Sequence, residues 1–492
     1  MSAVRACAAH ALAPVASASH ASSSRRGLAA HRRRAAPRRA AAATAEASAE
    51  VAAIEDKWIA GSVERCSGGA GVDALRDAAL ARLAHARMPT SRVEEYRFTD
   101  LAPLVTASPV AADPAARDAV DDASAWTLSS ADATRVVLVD GVFAPALSDL
   151  TGVPEAAVVG ALSADPALAD AAALGAVSDL RGGVIADLNA ALASDVVIID
   201  LPVGLELANP VHVVQLSTAG GDGMRASAPR VRVSLGEGAK MTLVEEFAAA
   251  PGVAKDAAYW HNGVCEITLA SEASLTHAMV QSQSRAAVHT RGTFLTQAES
   301  SAYALAEVNV GGKIGRHDLG VTQLGPRTST ELACFNLAGA GQCLDLHSSV
   351  TLDHEEGTTD QTHKCIVSAA TGRGVFDGNV QVNKKAQRTD AGQISRNLLL
   401  VPKATVNVKP NLQIVADDVV CTHGCTVSDL EEEELFYIQS RGLSPAVARS
   451  LLVAGFGLEI VSKMTGEDLR KRVGELVREA LDEDNVELAA GL

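Results

Sequence analysis

The chain has 492 residues, a net charge of −16 and only 3% aromatic residues, with its apolar content dominated by small and β-branched side chains. So few rings argue against a sugar groove lined with stacking platforms, and an acidic body repels phosphate backbones, which excludes non-specific nucleic-acid binding. No run of about 18 apolar residues occurs, so no membrane-spanning helix is expected and the chain reads as soluble.

The first 45 residues hold eight arginines and no Lys, Asp or Glu. Removing those eight charges from the total leaves the rest of the chain at −24. Rich in Ala, Ser and Arg, residues 1–48 have the composition of an organelle transit peptide, and composition alone leaves chloroplast and mitochondrion both open. Residues 49–130 then form a helical region with a loop-rich connection. Leu75, Ala79, Leu80 and Leu83 recur at helical spacing before Pro89 stops the pattern.

Between residues 131 and 427 the hydrophobic period becomes two, as in "TRVVLVDGVF", "PVHVVQLS" and "RVRVSLGEGAKMTLVEEF". Small corner residues precede similar strands at Ala239, Ser274, Ser301 and Ser329, in steps of 35, 27 and 28 residues. Steps of that length without intervening helices predict a solenoid with two or three strands per coil, a β-helix, and a β-sandwich is the other architecture that fits the period.

Three stretches within this region are candidates for chemistry. "VGGKIGRHD" (310–318) is glycine-rich and basic but lacks the spacing and the hydroxyl of a phosphate loop, so it is expected to be a solenoid turn. "DLHSSVTLDHEEGTTDQTHKC" (345–365) gathers His347, Asp353, His354, Glu355, Glu356, Asp360, His363 and Cys365, and a solvated polar face is the simpler explanation than a metal site. "DDVVCTHGCT" (417–426) places Cys421, His423 and Cys425 two apart, on one side of an extended strand. Thiolate, imidazole and thiolate suit soft metals or an iron-sulfur cluster, but one strand does not close a four-ligand site, so other ligands would come from a neighbouring coil or another protein. A strand end with a buried Cys and a hydrogen-bonded His is the alternative. The eight cysteines follow no disulfide framework and are expected to be reduced.

Residues 428–492 return to helical spacing. Ser444 before Pro445 marks a helix start, and Thr465 with Asp468 resembles a capping box. Leu469, Val473, Leu476, Val477 and Leu481 form an apolar stripe expected to pack on its own domain.

The phrases "GVFDGNVQV" (374–382), "KKAQRTDAGQISRNLLL" (384–400), "KPNLQIVADDVVCTHGCTV" (409–427) and "LFYIQSRGLS" (435–444) resemble the SufB/SufD family of iron-sulfur cluster assembly proteins. Within it, "MPTSRVEEYRFTDL" (88–101) and the direct run from "ADDV" into "CTHG" are similar to the plastid SufD branch.

That resemblance implies a mainly β protein, a right-handed parallel β-helix between N-terminal and C-terminal helical domains. It implies a non-enzymatic scaffold in the chloroplast stroma that pairs with a SufB-like subunit or, failing that, with itself. A SufC-like ATPase would dock on the C-terminal helices, through candidates Phe436, Tyr437, Arg441 and Leu451. An iron-sulfur cluster would be held transiently and shared with SufB, with His423 and Cys421 as candidate ligands and no nucleotide bound by this chain. Relatives commonly have Ala where this chain has Cys425, so Cys425 receives no role. A purely architectural subunit, or a polysaccharide-acting β-helix, are the rival expectations.

Overall fold

A computed structural model describes residues 56–66, 72–168, 174–221 and 223–490. The expected transit peptide lies outside the described residues. Among the described residues, strands from Arg135 to Ser428 alternate between two mainly parallel sheets, ten in each, with Pro109–Ala111 added to one of them, so most coils of the solenoid contribute one strand to each sheet, for roughly eight turns. One sheet stacks Val264, Gly292, Asp318, His347, Asp377 and Lys409 in register, a rise of 26 to 32 residues per coil.

The interior is narrow, filled by Val, Leu, Ala and a few rings such as Phe247 and Phe376. Small side chains suit it because facing sheets leave little room between them. The sequence-expected corners coincide with strand starts at Lys240, Ser274, Ala302 and Ser329. What the spacing did not suggest is the conformation just before them. Glu272, Ser300, Arg327, Glu356 and Arg388 all take positive φ, near 57–60°, although none is glycine. Each N–H donates to a carbonyl of the next coil, such as Ser300 N to Pro326 O at 2.9 Å and Arg327 N to Glu355 O at 3.0 Å. These bonds between coils offset the cost of a left-handed residue.

One expectation is corrected. Helix Gly183–Leu192 interrupts the strand series, and it packs with the helix Asp73–Leu83 through Leu75, Leu83, Ile185, Leu188 and Leu192. Its residues are buried on most sides, so no amphipathic stripe announces it.

The "VEEYRF" phrase forms a strap across one sheet. The Arg316 guanidinium lies 3.9 Å from the centre of the Tyr96 ring, Thr99 Oγ1 donates to Asp345, and Glu94 pairs with Lys409 at 2.6 Å.

At its start the solenoid is closed by antiparallel pairings, Val158–Ala161 against Val196–Leu201 and Val142–Phe143 against Arg135–Val139. At its far end, strands Thr405–Ile414 and Val419–Ser428 are each paired on one side only. The chain then enters helices Glu432–Ser440, Pro445–Val461 and Glu467–Ala490. Ser444 caps the second, accepting from Val447 N. The capping box does not form: Asp468 instead accepts from Ser129 N at 2.8 Å, and Thr465 Oγ1 is buried without a partner among the described residues. Leu469, Val473, Val477 and Leu481 are buried against Val244, Ala278, Ala306 and Ala333 of the solenoid, the packing expected of that stripe.

Candidate functional site

Three inward-facing ladders end on the last strand. Met241, Leu275, Tyr303, Thr330, Thr359, Ala391 and Cys421 stand in register, and beside them run Leu243, His277, Leu305, Leu332, Gln361, Gln393 and His423. Glu245, Met279, Glu307, Cys334, His363, Ser395 and Cys425 form the third. Every member before the last is buried. Because no strand among the described residues pairs beyond Val419–Ser428, the interior face comes to the surface there: Cys421 is half-buried on the core, whereas His423 and Cys425 are exposed. The same edge exposes Val420, Val427, Ile414 and Val415, Val420 to 61%. Unpaired edge strands carrying exposed apolar side chains are a template for adding another chain.

Beneath the three residues the interior turns polar. His363 stacks on Phe376, ring centres 4.5 Å apart and 9° from parallel, and its Nδ1 lies 3.1 Å from Ser395 Oγ. Asn397 Nδ2 donates to Ser395 Oγ at 3.1 Å and to Thr426 O at 2.9 Å, fastening the last strand to the coil below. Gln393 Nε2 donates to Gln361 Oε1 at 2.8 Å, and Gln361 Nε2 donates to Ser348 Oγ. This polar lining was not read from the sequence; the signal was there, in side chains repeating 29 to 32 residues apart, once the register is known.

Burial raises the Cys421 thiol above its ordinary range, with Asp390 adding to the effect, and burial also raises Cys425. Both are therefore thiols at neutral pH, and a thiolate at either position requires a bound metal to displace the proton. Successive inward residues on a strand lie about 6.6–6.8 Å apart. No group of three or more His, Cys, Asp or Glu that could hold a metal ion converges among the described residues.

The stretch 345–365 is divided by its strands rather than gathered. Glu355 and Glu356 pair with Arg388 at the corner and Asp360 is exposed on the following strand, while His363 and Cys365 are buried inside, so the solvated face expected from sequence holds for only part of the stretch. Of the candidate docking residues, Phe436, Tyr437 and Leu451 lie on the C-terminal helices and are exposed, Phe436 to 73%, and Arg441, in the turn just after the first of these helices, donates to Tyr437 Oη at 2.8 Å.

Family comparison agrees with this geometry. Residues 216–456 match the model described as "SUF system FeS cluster assembly, SufBD core domain", and residues 65–213 match "SufBD protein N-terminal region". The chain belongs to the SufBD family. It is 38% identical over 409 residues to "Protein ABCI7, chloroplastic" of Arabidopsis thaliana, covering 82% of this chain and 85% of the relative. It is 36% identical to an iron-sulfur cluster assembly SufBD family protein of Synechocystis, over 82% of this chain and 89% of the relative. The iron-sulfur cluster assembly protein SufD of Escherichia coli is 30% identical, over 80% of this chain and 89% of the relative. This SufBD family protein is thus a SufD-like component of iron-sulfur cluster assembly.

Proposed function

We propose that this chain is a non-ATPase scaffold of the chloroplast stroma, delivered there by residues 1–48, that joins a SufB-like subunit along its open solenoid end and docks a SufC-like ATPase on its C-terminal helices. The nascent cluster is cargo, shared across the solenoid edge. His423 offers an imidazole lone pair to iron and Cys421 a thiol that becomes thiolate once metal binds. The remaining ligands come from the partner, since these side chains point the same way from one strand without converging.

The observation carrying this reading is that Cys421 and His423 end two buried ladders at an unpaired, apolar sheet edge. ATP-driven movement of the docked motor on Phe436, Tyr437, Arg441 and Leu451 would shift the C-terminal helices and twist the edge, opening or assembling the ligand set. A homodimer through the same edge is the competing assembly.

The test is iron and acid-labile sulfide content after anaerobic co-expression with SufB-like and SufC-like partners, comparing the native chain with His423→Ala. An intact complex that has lost iron and sulfide supports the site. An intact complex with an unchanged cluster leaves the chain architectural.

A further inference from the structure

Gln393 is fully buried, yet its Oε1 finds no hydrogen-bond donor among the described residues. A buried amide oxygen left unpaired keeps its full desolvation penalty, so its position in the ladder calls for an explanation. The amide is oriented by its neighbours. Gln361 donates to Ser348 Oγ, and Gln393 donates in turn to Gln361 Oε1 at 2.8 Å. The reverse orientation of Gln393 would set its carbonyl against that of Gln361. With Nε2 committed to Gln361 in the preceding coil, Oε1 is left for a donor from elsewhere. Gly378, on the facing sheet, makes the room: a Cβ there would overlap Gln393 Nε2.

In the following coil the residue in register with Gln393 is His423. Cys421 and Cys425 stand instead opposite Ala391 and Ser395. Neighbouring strands lie about 4.8 Å apart, which brings an inward-turned imidazole within reach of the amide. An amide oxygen only accepts, so it selects a ring N–H and leaves the second ring nitrogen as a free lone pair.

We infer that Gln393 is a positioning residue for His423: when the imidazole turns inward, Gln393 Oε1, unpartnered while the ring is exposed, takes one ring N–H, fixing the tautomer and ring orientation so that the other nitrogen faces the open solenoid end. This rests on the proposed role of His423 as a ligand but concerns the ring itself, and the two fail separately.

The experiment uses the full chain labelled with ¹⁵N-histidine, the His423 signals being identified by their loss in His423→Ala. At about pH 8.5, well above the ordinary imidazole range, the native chain should show two widely separated ring ¹⁵N shifts and a protected ring N–H. In Gln393→Met, which keeps length but removes the acceptor, exchange of that N–H should accelerate about tenfold, the equivalent of one net hydrogen bond of roughly 1.4 kcal/mol. Gln393→Glu should restore protection, because Gln361 can reverse its amide toward the new carboxylate while Ser348 donates to Gln361. Averaged shifts and an unprotected N–H in the native chain would overturn the inference, whether or not either variant folds. So would unchanged exchange in a folded Gln393→Met. In the assembled complex, Gln393→Met should lower iron content and Gln393→Glu recover it. If the ring proves fixed but His423→Ala leaves the cluster intact, the ladder stands and the ligand role falls.

Discussion

Arg316, which is buried, sets its guanidinium 3.9 Å from the centre of the Tyr96 ring while donating to Asp345 at 2.7 Å and to the Glu95 carbonyl at 2.8 Å. One cation therefore joins a strap from the N-terminal region to two adjacent coils of the solenoid. The strap continues to Lys409 on the last coil of that sheet, through Glu94.

Tyr96→Ala should remove the ring from this clasp and cost about 1–2 kcal/mol, whereas Tyr96→Phe keeps the ring face and should cost much less. Hydrogen exchange would report it: amides of residues 94–99 should open faster in Tyr96→Ala while those of the central coils hold. Equal acceleration throughout would mean the residue supports the whole fold rather than the strap.

The interior histidines predict a pH dependence. Burial pushes His261 and His363 down to about 3, and for His261 the nearby Arg291 lowers it further. Unfolded, the same rings take up a proton near pH 6.5. Between pH 6.5 and 3 the unfolded chain therefore binds more protons, so stability falls as pH drops through that window and is full above it. Each ring should cost about 2 kcal/mol at pH 5. Denaturant midpoints between pH 7.5 and 5 should show the slope, and His363→Gln should flatten it; a slope unaltered by that change would place the titration elsewhere.

Gly311 tests why a glycine-rich turn occurs at 310–313. A Cβ at Gly311 would overlap the backbone N and O of Gln283 on the preceding coil, atoms that cannot move aside without breaking the ladder. Gly311→Ala should cost about 1–3 kcal/mol, and Lys313→Ala, which leaves the close approach untouched, should cost little. Thermal melts of the two variants decide it. If Lys313→Ala were the more damaging, the stretch would be serving its charge and not its backbone.

Much of this architecture was legible because a parallel solenoid repeats its demands on each coil. Ala239, Ser274, Ser301 and Ser329 marked strand starts to within one residue, and the period of two put Cys421, His423 and Cys425 on one face. Two things were hidden for physical reasons. Helix Gly183–Leu192 is buried nearly all round and so carries no polar face. Gln361, His363 and Gln393 look like surface residues until the register pairs Gln393 with Gln361 and His363 with Ser395 inside. That His423 is exposed depends on its strand being the last one paired, which no local spacing records.

Phe436, 73% exposed, and Leu451, 57% exposed, present large apolar side chains to solvent on successive helices. Interface anchors of this type concentrate binding energy. Phe436→Asp should weaken association with a SufC-like ATPase at least tenfold by calorimetry, with the melting of the free chain unchanged because the side chain touches no core. Unaltered affinity would move the docking surface elsewhere.

Lys364 ties those helices to the solenoid. Its side chain is 3% exposed and its Nζ donates to Glu459 and to Phe456 O at 3.2 Å, with the Phe456 ring 4.4 Å away. Its neighbour His363 bonds to Ser395, in the coil directly below Cys425, so the pair lies on a route from the C-terminal helices to the open edge. The two partners differ in burial, since Glu459 is 52% exposed. Losing Glu459 strands a buried ammonium, while losing Lys364 leaves a carboxylate that water can solvate. Glu459→Ala should therefore destabilise by about 3 kcal/mol and Lys364→Met by distinctly less, an order opposite to what side-chain burial alone would suggest. Denaturation of both single variants and the double variant measures the coupling. If Lys364→Met were the costlier change, packing of its stem would be holding the helix. The ion pair would then be a poor candidate for carrying motion from the docked helices to His423.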